Sequence, residues 1–569
     1  MPEYDLLIRG GTVVDGTRMP RFQGDVGIRH GRIAALGHVV GDARRVIDAT
    51  GRIVAPGVVD LHTHYDAQLN WDPYATNSAW NGVTTVMIGM CGFGFAPCRP
   101  EDRERSMLLM SRVEAIPLAS MQLGMRWDWV SFADYLASLE RAGLGINVGS
   151  LIPHSPLRIW AMGLEAAKER AATEDELKRM MELIRCGMRA GGFGFSTDRN
   201  IADTDYDGSP LPSHQANDTE LLALCGVLRE FGIGSIEYTL QAQRRPDFEF
   251  TAALSRAAGR PIVWNALAQF QTQPDHWRKV LTWMDELNRS AQLYGMTICF
   301  PTHLYFTLEE MNQFDDMPRW REALSQPLTE RKITLGNPRV RAALAEDFRS
   351  VRTRVFSGDW ADIVVTNTRP EHRSSVGRSI ADLARSAGRD PIDTFLDLSL
   401  AEDLKTGFKI LDFANRDQDA LATMLTHPHA VIGLSDGGAH TKLFSLGKYP
   451  VEFLAHWVRD RTLMSLEEAH WRLSFVPSWL IGLQDRGVLR EGMAADVIVY
   501  DLEGLRISPT EPEMRYDLPG GEGRLIQRAT GIDYTIVNGH VVFEGQTCTG
   551  ARPGALLRSA AYDPQDLGS

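Results

Sequence analysis

The chain has no surplus of positive charge. Its 569 residues carry 60 Lys and Arg against 73 Asp and Glu, a net charge of -13. That balance lacks the basic footprint of a nucleic-acid-binding protein. Long apolar runs are missing too: none approaches the about 20 residues a membrane-crossing helix needs. Neither nucleic acid nor membrane is therefore an expected partner. Cysteine is scarce. The six residues at 91, 98, 186, 225, 299 and 548 lie too far apart for a disulfide framework. Met1-Pro2-Glu3-Tyr4-Asp5 lacks the positive and apolar regions of a secretion signal. The expected location is the reducing cytoplasm. Short-period repeats and low-complexity stretches are absent as well. The hydrophobic fraction of 44% and charged fraction of 23% fit an ordinary globular protein, long enough for one large domain with an accessory one.

What is present is an alternation of strand-like and helix-like segments. Strands are predicted at Thr84–Ile88, Gly145–Gly149, Gly192–Ser196, Gly234–Tyr238, Pro261–Asn265 and Ala430–Asp436. Amphipathic stretches separate them, such as 173–189, which opens on a Thr-Glu-Asp-Glu cap signal. Such repetition predicts a TIM-like (β/α)8 barrel, whose active site gathers at the carboxyl ends of the strands. The two chain ends have a different texture of short strands and turns, including a hairpin around Asn538-Gly539. They are expected to join as one small β-sandwich. The predicted organisation is a composite sandwich from 1–56 and 488–550, a barrel with insertions over 57–487, and a tail over 551–569. The poorly periodic span from about Phe300 to His427 is expected to hold the last barrel strand with insertions. The Gly-rich stretch at Arg515–Arg524 lacks the Lys-Ser/Thr and strand–helix setting of a phosphate loop, and reads as a linker over the barrel mouth or a subunit contact.

Chemistry-bearing residues fall at the predicted strand ends. His62 and His64 follow an apolar run, one residue apart. Positions i and i+2 of a strand face one side, so the two imidazoles form half of a metal site. Asp436 ends a late apolar strand, where a carboxylate must be paired or bound to a metal. Cys91 lies in a Gly-rich turn after another strand and is either a ligand or a small buried apolar residue. Cys98 reads as structural.

Pro56-Gly57-Val58-Val59-Asp60-Leu61-His62-Thr63-His64 resembles the signature of the amidohydrolase superfamily. Within it, the chain resembles the N-acyl-D-amino-acid deacylase (D-aminoacylase) family. The matching segments are Gly82–Val86, Gly89–Phe93, Trp127–Trp129, Gly192–Thr197, Gly433–Gly437, Leu466–Ala469, Asp485–Gly487 and Gly492–Asp496. The resemblance implies a TIM barrel with a β-sandwich and a zinc centre that hydrolyses a linear amide of a small molecule. It further implies His62, His64, Cys91 and Asp436 as ligands, and Asp436 as the proton shuttle. The family has a histidine ligand at the ends of the fifth and sixth strands. This chain has Glu237 near the first position and Asn265 or Ala266 near the second. One ion, zinc or another divalent metal, is therefore expected rather than two. Glu237 is open as a ligand or a salt-bridged barrel carboxylate. His154, Arg158, Arg199, Asn265 and His440 are candidate substrate contacts, with His154 also read as a loop anchor and His440 as an orienter of Asp436. His303 reads as a loop residue, with replacement of a lost metal ligand as the alternative. Two other functions stay open: hydrolysis of a cyclic amide or another C–N bond, and a metal-free binding homologue. A homo-oligomer is compatible with the sequence.

Overall fold

The computed structural model describes residues 2–565 apart from 241, 310–313, 351–355 and 510. Its centre is a ring of parallel strands. In order they are Val58–Asp60, Val83–Ile88, Asn147–Ser150 continuing as Ile152–Pro153, Gly194–Asp198, Ser235–Thr239, Ile262–Asn265, Leu293–Thr297 and Ala430–Ile432. Each pairs in parallel with the next. Nearly every strand residue is buried, as expected where helices cover one face and packed side chains fill the other. The ring closes just past its first and eighth strands. Thr63 bridges Gly437, the Asp436 N–H donates to the His62 carbonyl at 3.2 Å, and the His64 N–H donates to the Gly437 carbonyl at 2.7 Å. The fold is thus the TIM barrel with a β-sandwich that the sequence predicts.

The helices form for local reasons. Glu174–Arg189 starts where Thr173 and Glu176 each accept the other's backbone N–H, a reciprocal cap. Its buried residues Met180, Ile184 and Met188 recur at helical spacing on one face.

Strands from both chain ends share one nine-stranded sheet. The join is antiparallel pairing of Ile53–Pro56 with Val497–Tyr500, in register Val54 to Val499. Leu6, Ile8, Val26, Ile33, Val497, Val499 and Ile536 make its apolar core.

The span after Phe300 corrects the sequence reading. It holds no barrel strand among its described residues. The seventh strand, Leu293–Thr297, precedes it and the eighth, Ala430–Ile432, follows it. Between them lies an inserted unit. An antiparallel sheet of Thr302–Phe306, Gly407–Ala414 and Ile363–Asn367 packs with helices around a separate core that includes Trp320, Phe395 and Phe408. Leu293-Tyr294-Gly295-Met296-Thr297 escapes notice in the sequence because it has no β-branched run, carries a glycine at its centre, and ends on no charged or metal-ligating residue.

The segment 551–565 is docked on the barrel. Leu556 bridges Val148 of the third strand, the Leu557 N–H donates to the Val148 carbonyl at 2.7 Å, and Leu556 and Leu557 are both buried. Leu556→Ala is expected to lower unfolding free energy by about 2 kcal/mol or more, as buried leucine truncations do; a denaturant titration measures it. The Gly-rich stretch is also anchored: the Arg524 guanidinium bonds Asp517 and Thr76. No helix among the described residues is long and apolar enough to cross a membrane.

Candidate metal centre

His62 and His64 stand just past the first strand. Thr63 between them turns the other way, its N–H and hydroxyl both donating to the Met87 carbonyl of the second strand. The two imidazoles therefore share a side, with centroids 5.3 Å apart. Cys91 joins them from the turn after the second strand. That turn needs glycine at 89 and 92, where φ is +75° and +70°. A Cβ at Gly89 would lie 2.4 Å from the Leu151 carbonyl oxygen, and one at Gly92 would lie 2.9 Å from the Thr197 Cα.

The donor atoms converge. Cys91 Sγ lies 3.4 Å from His62 Nε2 and 3.8 Å from His64 Nε2. Asp436 Oδ1 lies 3.2 Å and 3.7 Å from the same nitrogens. Tetrahedral zinc, with Zn–N near 2.1 Å and Zn–S near 2.3 Å, sets its ligand atoms about 3.4–3.6 Å apart. His62, His64 and Cys91 thus have the chemistry and the spacing to hold such an ion, and Asp436 stands beside the two imidazoles. Among the described residues, His62, His64 and Cys91 are the cluster of His, Cys and acidic groups whose donor atoms all lie within 4.8 Å of one another.

The centre is buried on one side and open on the other. His62 and His64 side chains are 1% exposed, whereas Asp436 is 21% exposed, so the carboxylate faces a cavity of about 600 Å³. Burial alone would raise the Asp436 carboxyl. The hydrogen bond and charge of His62, then the charges of His440 and His64, hold it well below the usual carboxylate range. His62 is pushed down by burial and, more strongly, up by Asp436 and Glu237. His64 falls to about 3, through burial and then the charge of His62. Burial raises the Cys91 thiol well above its ordinary value, and the charges of Glu237 and Glu114 add to this.

Two acidic residues frame the ligands. Glu237, on the fifth strand, accepts the Cys91 N–H on Oε2 at 2.7 Å, and its Oε1 lies 3.8 Å from His62 Nδ1. Burial raises its carboxyl to about 7. With its amide oriented so that the nitrogen faces acceptors, Asn265, on the sixth strand, donates to Glu237 Oε1 at 2.9 Å and Thr239 Oγ1 at 3.1 Å. Glu114 lies 3.5 Å from His64 Nε2 and 3.5 Å from His440 Nε2. Burial, then the charge of Asp436, raises its carboxyl well above the ordinary value. Sequence reasoning missed Glu114, because Arg112-Val113-Glu114-Ala115 at a helix end carries no motif; only burial marks it.

Asn265 and His440 line the cavity. Three other candidates do not, which corrects their reading as substrate contacts. Arg158 is fully buried in the helix His154–Met162. Its guanidinium pairs with Glu220 and donates to the carbonyls of Ala167 and Arg170. His154 bonds Thr197 at 2.8 Å and Glu220 at 3.1 Å, so it anchors the helix behind the fourth strand. Arg199 bonds Asp218 and the Ala216 carbonyl. In each case a fixed partner nearby holds the polar head away from the cavity. His303 accepts the Asp412 N–H within the inserted unit. Among the described residues, the arginine that does line the cavity is Arg321, from the inserted helix Pro318–Leu324.

Comparison with known proteins gives the same picture over nearly the full length. A model of the amidohydrolase family matches residues 45–543. An uncharacterised protein of Mycobacterium tuberculosis is 29% identical over 98% of this chain and 95% of its own. The D-aminoacylase of Alcaligenes xylosoxydans xylosoxydans is 26% identical over 98% of each. Among solved structures, N-acyl-D-glutamate deacylase from Bordetella bronchiseptica, complexed with zinc and a phosphonate mimic of the tetrahedral intermediate, aligns with a TM-score of 0.68. It is 25% identical, over 98% of this chain and 100% of that one.

Proposed function

The chain belongs to the amidohydrolase family, and we propose that it hydrolyses a linear, non-peptide amide of a small molecule, an N-acyl-D-amino acid by class, at a single divalent metal ion, zinc in the first instance. The observation that carries this reading is the convergence of His62, His64 and Cys91, whose donor atoms lie within 4.8 Å of one another, with Asp436 Oδ1 3.2 Å and 3.7 Å from the two imidazole nitrogens, a donor set that suits one ion. An ion held there supplies Lewis acidity toward a carbonyl and toward water.

The chain's own residues do the rest. His62 and His64 supply nitrogen donors from a rigid strand end, and Cys91 a sulfur donor. Asp436 is ionised, reaches both imidazoles and faces the cavity. It is the group placed to accept a proton from the attacking water and return it to the leaving nitrogen. Glu114, which burial favours in its neutral form, spaces His64 from His440. Arg321 lines the cavity, and an arginine suits a substrate carboxylate. Full-length similarity to D-aminoacylase and to N-acyl-D-glutamate deacylase supports the D-amino-acid class.

Elemental analysis of purified protein, paired with hydrolysis assays on matched N-acyl-D- and N-acyl-L-amino acids, tests the reading. About one bound ion per chain and faster hydrolysis of the D series are expected. Absence of metal, with no activity restored by adding it, would reject the reading. Bound metal with cleavage of neither series would restrict it to another C–N bond.

A further inference from the structure

Glu237 sits against the metal centre, yet its position is not that of a ligand. His62 Nε2 faces Cys91 and Asp436. Glu237 Oε1 instead faces the opposite nitrogen, Nδ1, at 3.8 Å. That Nδ1 is buried and has no hydrogen-bond partner. Both carboxylate oxygens have partners: Oε2 accepts the Cys91 N–H at 2.7 Å, and Oε1, 4.0 Å from the Cys91 thiol, accepts from the Asn265 amide at 2.9 Å when that amide turns its nitrogen to the acceptors around it. Cys91 meanwhile holds φ at +54°, a left-handed conformation unfavourable for a residue with a Cβ. The Glu237 carboxylate thus grips the backbone of one sulfur donor and stands behind one nitrogen donor. Asn265, from the neighbouring strand, braces it.

We infer that Glu237 and Asn265 form a positioning pair that sets Cys91 and His62 for one ion and takes no ion of its own. The inference rests on the metal-centre reading above. Groups behind a metal-binding imidazole fix its ring orientation and tune its basicity. Here the same carboxylate also fixes the turn that presents the thiol.

Chelator-treated protein titrated with Co²⁺ tests the pair, with the thiolate-to-cobalt absorption band as readout. Wild type is expected to bind one ion per chain. Glu237→Gln should still bind one ion and keep the thiolate band, with affinity weakened about 10–100-fold, the usual effect of losing such a partner. Asn265→Ala keeps the carboxylate and should shift affinity in the same direction, which covers the case in which Glu237→Gln does not fold. Unchanged affinity in both variants would overturn the inference. So would loss of binding in Glu237→Gln as complete as in His62→Ala, which would make Glu237 a ligand, or two ions bound per wild-type chain. If wild type binds no cobalt, it is the metal-centre reading that fails. The grip on Cys91 is then read by hydrogen–deuterium exchange of residues 89–93 in ion-free protein. Faster exchange in Glu237→Gln supports it, and equal exchange overturns it.

Discussion

Asp436→Asn is expected to lower kcat by about 10²- to 10⁴-fold, the range of a lost general acid–base group, with little change in Tm. The carboxamide keeps the shape but cannot take up and return a proton. The backbone at this position has φ of +49°, and asparagine is among the few residues that tolerate that region. The substitution therefore isolates the chemistry from the fold. Because a carboxamide is a poorer metal donor, the assay belongs at saturating metal, on the N-acyl substrate that wild type cleaves fastest. Unchanged kcat under those conditions would remove Asp436 from the proton-transfer role.

Glu220→Gln should destabilise the protein by about 3–5 kcal/mol, the cost of leaving a buried charge without its partner. The charge is that of Arg158, which is fully buried and pairs with Glu220 beside His154. The Glu220 carboxyl is held to about 2. Burial pushes it up, but the bond and charge of His154 and then Arg158 outweigh burial. A folded-state value below the unfolded one, near 4.3, makes its stabilisation complete above about pH 4.3 and lost as pH falls toward 2. Urea titrations of both proteins between those limits should show wild type losing more stability than the variant. Metal content of the folded variant should be unchanged, since this group lies behind the fourth strand and outside the cavity. Replacing both partners, as in Glu220→Leu with Arg158→Met, should recover part of the loss. If Glu220→Gln is as stable as wild type, the buried pair has no structural role.

Much of the architecture was legible in the chain itself. Strand–helix alternation specified a barrel because each element depends on residues near it in sequence. The Thr173/Glu176 cap, the Asn538-Gly539 turn between Ile532–Val537 and His540–Glu544, and the His62-Thr63-His64 alternation are all short-range. The inserted unit after Phe300 was not legible. Its strands pair antiparallel although several helices separate them in the chain, and its core is separate from that of the barrel, so barrel periodicity stops there.

The site divides in the same way. Sequence alone determined which residue types stand at the strand ends: His62, His64, Cys91, Glu237, Asn265 and Asp436. Tertiary structure alone decided which of them meet and in what role. Barrel closure brings Asp436 to His62 across most of the chain. The fifth and sixth strands turn Glu237 and Asn265 toward each other. Packing brings Glu114 between His64 and His440, and directs Arg158 and His154 onto Glu220 instead of the cavity. The physical reason is one of range. Backbone conformation is set by neighbours along the chain, whereas convergence of donor atoms is set by contacts that form only when the first and eighth strands join.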